Sequence, residues 1–328
     1  MALNFELGKL KEELEKRQPK KVLVQLPEGI KQNALEIKKV IEDLDIEVIF
    51  SGETAWGGCS IATYEAEALK VDLLVHFGHA EFIKSNFPIL YIEVRDELNL
   101  LPLLKKSLEK IKEHKTLGLA YSIQHRHDVE KVKKFYEDNG KEILISDKKG
   151  YAAYAGHVVG CEFGGLKTIQ DKVDAFLVIG NNFHSMGASL AVEKPVILLD
   201  VYNNCVTEME GVRDKIIKQR IIAIEKFKDA KKVGVIMEVK PGQKFGSPKF
   251  LVEKLEKAGK EVLTITMNEL TPDKLMNFYN LEAFVELGCP RIAIDDYAKY
   301  PKTLITFKEA LIATGDKNFE DVIKEGLI

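Results

Sequence analysis

Short, nearly continuous apolar runs alternate along the chain with longer segments in which apolar residues recur every three or four positions. The first kind is what a strand covered on both faces requires, as in a parallel sheet, and the second marks helices with one buried face. Three stretches share one plan: "KKVLVQLPEGIKQNALEIKKVIEDLDIEVIFSG" from Lys20, "TLGLAYSIQHRHDVEKVKKFYEDNGKEILISD" from Thr116 and "KKVGVIMEVKPGQKFGSPKFLVEKLEKAGKEVLTI" from Lys231. Each reads strand, polar loop, helix, strand. The helical faces carry Ile30, Ile37, Ile41 and Leu44 in the first copy, Val129, Val132 and Phe135 in the second, and Leu251 and Leu255 in the third. Ser247 with Pro248 suits an N-cap followed by the first helical position, and Gly140 and Gly259 stand where helices should end.

Each copy continues with a further apolar strand, at Asp72, Ala175 and Ala283, closing on Gly78, Gly180 and Gly288. A fourth follows at Ile89, Pro195 and Thr303. Strands alternating with helices imply right-handed crossovers and a parallel sheet in each copy. The expected fold class is therefore α/β, with three similar domains, each a short parallel sheet with flanking helices, around a pseudo-threefold axis. Their expected limits are 1–105, 106–212 and 213–328, carrying Cys59, Cys161 and Cys289 in turn. Ligands of open parallel sheets bind beyond the carboxyl ends of the strands, so the glycine-ended strands mark the functional edge.

With 328 residues, the chain can bury a real core in each of several domains. A net charge of -3, spread over a mixed Lys/Glu surface, argues against wrapping nucleic acid by bulk electrostatics and fits an ion-pair-laced exterior of the kind thermophilic proteins use. No apolar run approaches the ~20 residues that span a bilayer, and the N-terminal segment reads as an amphipathic helix, so a cytoplasmic protein without a membrane partner is expected.

The four cysteines, Cys59, Cys161, Cys205 and Cys289, are far apart in a chain without a secretory pattern, which disfavours a disulfide framework. A free cysteine is most often a small buried hydrophobe. Three of these, however, sit in glycine- or proline-flanked turns, "WGGCS", "VVGCEFGG" and "ELGCPRIAIDD", one per copy and at the same sheet edge. Cys205, in "VYNNCVTE", has no such setting and is read as structural. If the copies close around a threefold axis, three thiolates meet. Soft thiolates with an open fourth position suit a 4Fe-4S cluster with one iron left free to bind substrate. No CxxC pair, no CxxxCxxC spacing and no GxGxxG fingerprint occurs, and "GCEFGGLKT" has Leu166 where a phosphate-binding lysine should stand.

His76 lies within a strand and reads as core. His79 and His184 follow glycine strand ends and are expected at the cleft, His125 on its rim, and His157 beside Cys161 as a donor that tunes a cluster. Two loops, "VKPGQKFGSP" and "NNFHSMGAS", precede helices whose free amides could hold a carboxylate. Gly242, Gln243, Ser247 and Ser185 are their candidate substrate contacts, with Gly78, His79 and His184 at the strand ends.

In this order and across essentially the whole chain, "WGGCS", "HFGHAEF", "VVGCEFGG", "GNNFHSMG", "KPGQKFGSP" and "GCPRIAIDD" resemble the diphthamide biosynthesis family of 2-(3-amino-3-carboxypropyl)histidine synthases, above all its archaeal single-chain form. The resemblance implies a homodimeric, non-standard radical enzyme whose 4Fe-4S cluster is held by Cys59, Cys161 and Cys289. S-adenosylmethionine would bind the free iron and yield a 3-amino-3-carboxypropyl radical. That group would pass to the imidazole C2 of a histidine in translation elongation factor 2, with an electron donor as a further partner. His157 replaces a frequent glutamine, and Trp56 and Ser60 replace commoner tyrosine and aspartate, changing the polarity near the site without removing a thiolate. Two alternatives remain open on sequence: a quinolinate synthase-like enzyme using the open iron as a Lewis acid, and a non-catalytic electron-relay or presenting subunit.

Overall fold

A computed structural model describes residues 3–243 and 247–328. Three main sheets follow one another along the chain with one strand order. In the first, Glu47–Phe50, Lys21–Gln25, Leu73–Phe77 and Ile89–Ile92 lie side by side, all parallel. The third repeats this with Glu261–Met267, Lys232–Glu238, Ala283–Glu286 and Thr303–Thr306. The middle sheet runs Glu142–Leu144, Thr116–Tyr121, Ala175–Gly180 and Val196–Asp200, then gains an antiparallel edge strand, Cys205–Glu208.

Side-chain alternation explains why the central strands carry consecutive apolar residues. In the first sheet Val22, Val24 and Val75 point into one buried cluster, whereas Leu23 and Leu74 point into another on the opposite face. The same division places Leu117 and Leu177 against Ala120 and Val178 in the middle sheet, and Val233 and Val285 against Ile236 and Phe284 in the third. Two-sided burial favours apolar residues at successive positions, and the buried Gln25 and His76 in the first sheet and Glu238 and Glu286 in the third are polar exceptions at the strand ends nearest the cavity.

An acid just before the third strand of each copy adds a further repeat. Asp72 accepts from the amides of Lys20 and Lys21 at 2.8 and 2.9 Å, and Asp174 from Lys115 and Thr116 at 2.7 and 2.8 Å. Glu282 accepts from Lys231 and Lys232 at 2.5 and 3.3 Å. Each acid satisfies donors at the start of the first strand, and so fixes where the neighbouring strands begin.

Several local expectations are revised. The polar loop after the first strand is a 3-10 turn in each copy, Glu28–Asn33, Ile123–Asp128 and Pro241–Gln243, so Ile30 precedes its helix, Ala34–Glu42. Ser247 does not cap the third-copy helix from the N-cap position. Pro248 occupies that place before Lys249–Lys257, and the Ser247 hydroxyl accepts from the Lys249 amide at 3.2 Å.

The copies are also sewn together. Helix Leu101–Lys110 straddles position 105, and its Leu103 and Leu104 pack with Leu117 and Leu177 of the middle sheet. The last helix, Phe319–Glu325, returns Val322 to the middle core, and Leu327 donates to the Leu190 carbonyl at 2.9 Å. The N-terminal helix Leu7–Arg17 buries Leu10 and Leu14 completely, which contributes about 1.5–3 kcal/mol for each.

Candidate functional site

Cys59, Cys161 and Cys289 all line one cavity of about 370 Å³, a volume suited to a small molecule. The three thiols come from three sheets, each directly after a closely packed glycine. A Cβ on Gly58 would stand 2.9 Å from the Ala80 carbonyl oxygen, one on Gly160 2.5 Å from the Phe183 ring, and one on Gly288 2.3 Å from a Glu238 carboxylate oxygen. Tight packing, against backbone at Gly58 and against side chains at Gly160 and Gly288, therefore precedes every cysteine.

Neutral hydrogen bonds tie the Cys59 loop at the cysteine end. Gln25 donates to the Ser60 carbonyl at 2.8 Å and accepts from the Ala62 amide at 3.0 Å. The third domain reaches it through Gly242, whose amide donates to the Cys59 carbonyl at 2.8 Å, and through Gln243, whose Nε2 faces Cys59 Sγ at 3.6 Å. A Cβ on Gly242 would fall 2.5 Å from Cys59 Cα, so glycine is required for this contact.

Cys161 stands in a tight turn closed by an antiparallel bridge between Val159 and Glu162. Arg291, two residues beyond Cys289 and nearly buried, holds that turn from the third domain. It donates to the Gly160 and Phe183 carbonyls, each at 2.8 Å, and its guanidinium lies over the Phe183 ring at 3.8 Å. Asp295 supplies its counter-charge at 2.6 Å. Cys289 itself is the N-cap of the short helix Pro290–Asp295.

Burial pushes the Cys59 thiol up to about 11. The Cys161 thiol goes to about 12, through burial and then the neighbouring Cys59 and Glu162. Cys289 is raised well above the ordinary thiol range by burial, then by Glu286 and the other two cysteines. Glu286 is pushed to about 8 by burial and by Glu238, so a neutral carboxyl lies behind this thiol. Around the cavity His79 and His157 are each lowered to about 4 and His184 to about 3, burial being the main cause in all three. These three imidazoles of the wall are thus uncharged at neutral pH.

This geometry has counterparts among known proteins. The diphthamide synthesis protein family model matches residues 26–323. The chain belongs to that family. It is 31% identical over 318 residues to the 2-(3-amino-3-carboxypropyl)histidine synthase of Pyrococcus horikoshii, covering 95% of this chain and 91% of that one. It is 28% identical to subunit 1 of the corresponding synthase of Kluyveromyces lactis, covering 97% of this chain and 77% of the relative. The crystal structure of Dph2 from Pyrococcus horikoshii superposes with a TM-score of 0.90 at 30% identity, over 97% of this chain and 93% of that one. The same protein solved with a 4Fe-4S cluster gives 0.89, over 96% and 92%. The α/β architecture of three similar parallel-sheet units is that of these relatives, and the chain is an enzyme of the diphthamide synthase class.

Against the family background, the expected site residues divide. His79, His157, His184 and Gln243 line the cavity with the three cysteines. Ser185 does not: it is fully buried in helix Asn182–Ala191, with amide and hydroxyl both donating to the Asn181 carbonyl, because the "NNFHSMGAS" segment is already helical there. Gly78 lies behind the cavity, where its carbonyl accepts from Gln124 at 2.8 Å. Ser247 is exposed and serves its own helix, Gly242 acts through Cys59, and Lys244–Gly246 of the same loop lie outside the described residues. His76 is core, as read. His125 is not on the rim but fully buried. Cys205 is not core either: it is exposed at the head of the antiparallel edge strand and away from the cavity.

Arg291 and Gln25 are the site residues that sequence reading passed over. Both lay inside quoted motifs, and an arginine within the apolar "GCPRIAIDD" segment was the available signal. No helix among the described residues is long and apolar enough to cross a membrane.

Proposed function

We propose that Cys59, Cys161 and Cys289 hold a 4Fe-4S cluster with one open iron, and that the enzyme transfers the 3-amino-3-carboxypropyl group of S-adenosylmethionine to a histidine of translation elongation factor 2. Three thiols converging on one cavity from three sheets carry this reading. The residues fit the group: soft donors on separate rigid turns suit a multi-iron cluster, and among the described residues no three Cys, His, Asp or Glu side chains are grouped for a single ion. When bound and reduced, such a cluster supplies the electron that breaks the bond between sulfur and Cγ of S-adenosylmethionine.

The chain's own residues do the rest. Thiols with raised proton affinity must lose their protons on loading, so loading strengthens as pH rises. Gln243 and Arg291 keep the Cys59 and Cys161 turns in register with Cys289, and positioning decides which carbon of the substrate faces the reactive centre. Trp56, Tyr151 and Phe183, 57%, 43% and 41% exposed, surround the cavity mouth where a protein side chain would enter. A homodimer, a cytoplasmic setting and a separate electron donor belong to the same reading. Family membership favours it over quinolinate-type Lewis-acid chemistry.

The test is anaerobic reconstitution with iron and sulfide, followed by dithionite, S-adenosylmethionine and elongation factor 2. The factor should gain the mass of one aminocarboxypropyl group, with release of 5'-methylthioadenosine. An intact reduced cluster and an unmodified factor would overturn the proposal. Cys59→Ala, Cys161→Ala and Cys289→Ala should each lower the iron content.

A further inference from the structure

A chain of hydrogen bonds behind the cavity fixes the direction in which its last member can act. Gln25 is wedged between two backbone groups of opposite kind. Its Nε2 must donate to the Ser60 carbonyl at 2.8 Å, and its Oε1 must accept from the Ala62 amide at 3.0 Å, so the amide cannot be flipped. The same Oε1 lies 2.9 Å from His76 Nδ1, which must therefore carry a proton. His76 is fully buried and burial keeps it neutral, leaving its Nε2 as a bare lone pair. That nitrogen is 2.9 Å from His79 Nδ1, which must in turn be the protonated one. His79 is neutral as well, and its Nε2 is consequently left as an acceptor.

This lone pair belongs to a cavity-lining ring. An atom built as Cβ on Gly57 would sit 4.0 Å from His79 Nε2 and 3.6 Å from Cys59 Sγ, so the nitrogen and the thiol share one small region of the wall. Each member of the relay before His79 has its partner, whereas the terminal Nε2 has none among the hydrogen bonds of the described residues. An acceptor held in one tautomer beside the Cys59 thiol selects a donor ligand.

We propose that His79 Nε2 accepts a hydrogen bond from the primary ammonium of the substrate's amino-acid end, and that Gln25 and His76 are positioning residues that keep it an acceptor. The proposal rests on the functional reading above. The ammonium is favoured over an N–H of the target imidazole because His79 Nε2 shares its part of the wall with the Cys59 thiol, where the substrate's amino-acid end would lie against the cluster, and the measurements below separate the two donors.

Two measurements test this. In the full-length protein labelled with 15N-histidine, the His79 Nε2 resonance should be that of an unprotonated imidazole nitrogen at neutral pH, and His76→Phe should release that preference. A protonated Nε2 in the wild type would overturn this inference alone. Second, binding to the cluster-loaded, unreduced protein is measured for S-adenosylmethionine and for 5'-methylthioadenosine, which lacks the amino-acid end. His79→Phe should weaken the first about 10-fold, the cost of one hydrogen bond to a charged group, and leave the second unchanged. His79→Gln, which restores an acceptor near the Nε2 position, should recover much of the loss. Equal loss for both ligands would sink the proposal, as would unchanged S-adenosylmethionine binding with weaker use of the elongation factor. Failure of the wild type to bind S-adenosylmethionine at all would instead remove the functional reading beneath it.

Discussion

The turns that carry Cys59 and Cys161 are held by opposite means. Next to Cys59 itself the ties are neutral, the Gln25 amide, the Gly242 backbone and the Gln243 side chain, while the charged Glu28 and Lys31 hold the loop only further upstream, at Ala55, Gly52 and Glu53. Around Cys161 the tie is a charge, the nearly buried Arg291 guanidinium, donating to two carbonyls and balanced by Asp295. The difference follows from reach. Gly242 brings backbone directly against the Cys59 loop, so short dipoles suffice. The gap between the third domain and the Cys161 turn must be bridged by a long side chain whose fork meets two carbonyls and a carboxylate together. A neutral tie fails by losing bonds, whereas a charged one also strands its partners.

Arg291→Met is therefore the largest expected disruption. It leaves the Asp295 carboxylate and two carbonyls without a donor, and should cost about 3–5 kcal/mol in denaturant unfolding, with faster release of iron to a chelator. Arg291→Lys should restore little, since one ammonium cannot reproduce the fork. Gln25→Leu removes only neutral bonds and should cost about 1–3 kcal/mol. If Gln25→Leu proved the costlier of the two, the contrast between charged and neutral ties would be wrong.

The pH dependence of stability sharpens the same division. His157, beside the Cys161 turn, falls from 6.5 to about 4 on folding, so the unfolded chain binds its proton more readily between those values. Its contribution is complete above pH 6.5 and is lost as pH falls through 4. Glu286, behind Cys289, rises from 4.5 to about 8, so its contribution is complete below 4.5 and is lost as pH rises through 8. Thermal unfolding should show His157→Gln flattening the acid limb and Glu286→Gln the alkaline limb. The smallest effect belongs to Cys205→Ala: an exposed edge-strand thiol should change stability by less than about 0.5 kcal/mol and leave iron content intact.

Much of the fold was legible because strands buried on both faces carry consecutive apolar residues. Val22–Val24, Leu117–Leu119 and Val233–Val235 announced three equivalent central strands, and the periodic apolar faces after them announced the crossover helices. The fifth, antiparallel strand of the middle sheet was not legible. "CVTE" is short and mostly exposed, without an apolar run to mark it. The burial of Ser185 escaped for a related reason. A small polar residue reads the same in a loop as in a helix, and only the helix start at Asn182 sends its hydroxyl back to the Asn181 carbonyl.

The sequence by itself determined the threefold plan, the three glycine–cysteine turns and the family. Those are local patterns, repeated within the chain and therefore readable one copy at a time. Long-range packing, by contrast, ensures that Arg291 reaches Gly160, that Gly242 lies on Cys59, and that Gln25 is joined through His76 to His79. These contacts join residues far apart in sequence through backbone carbonyls and amides, which every residue possesses and no sequence pattern distinguishes.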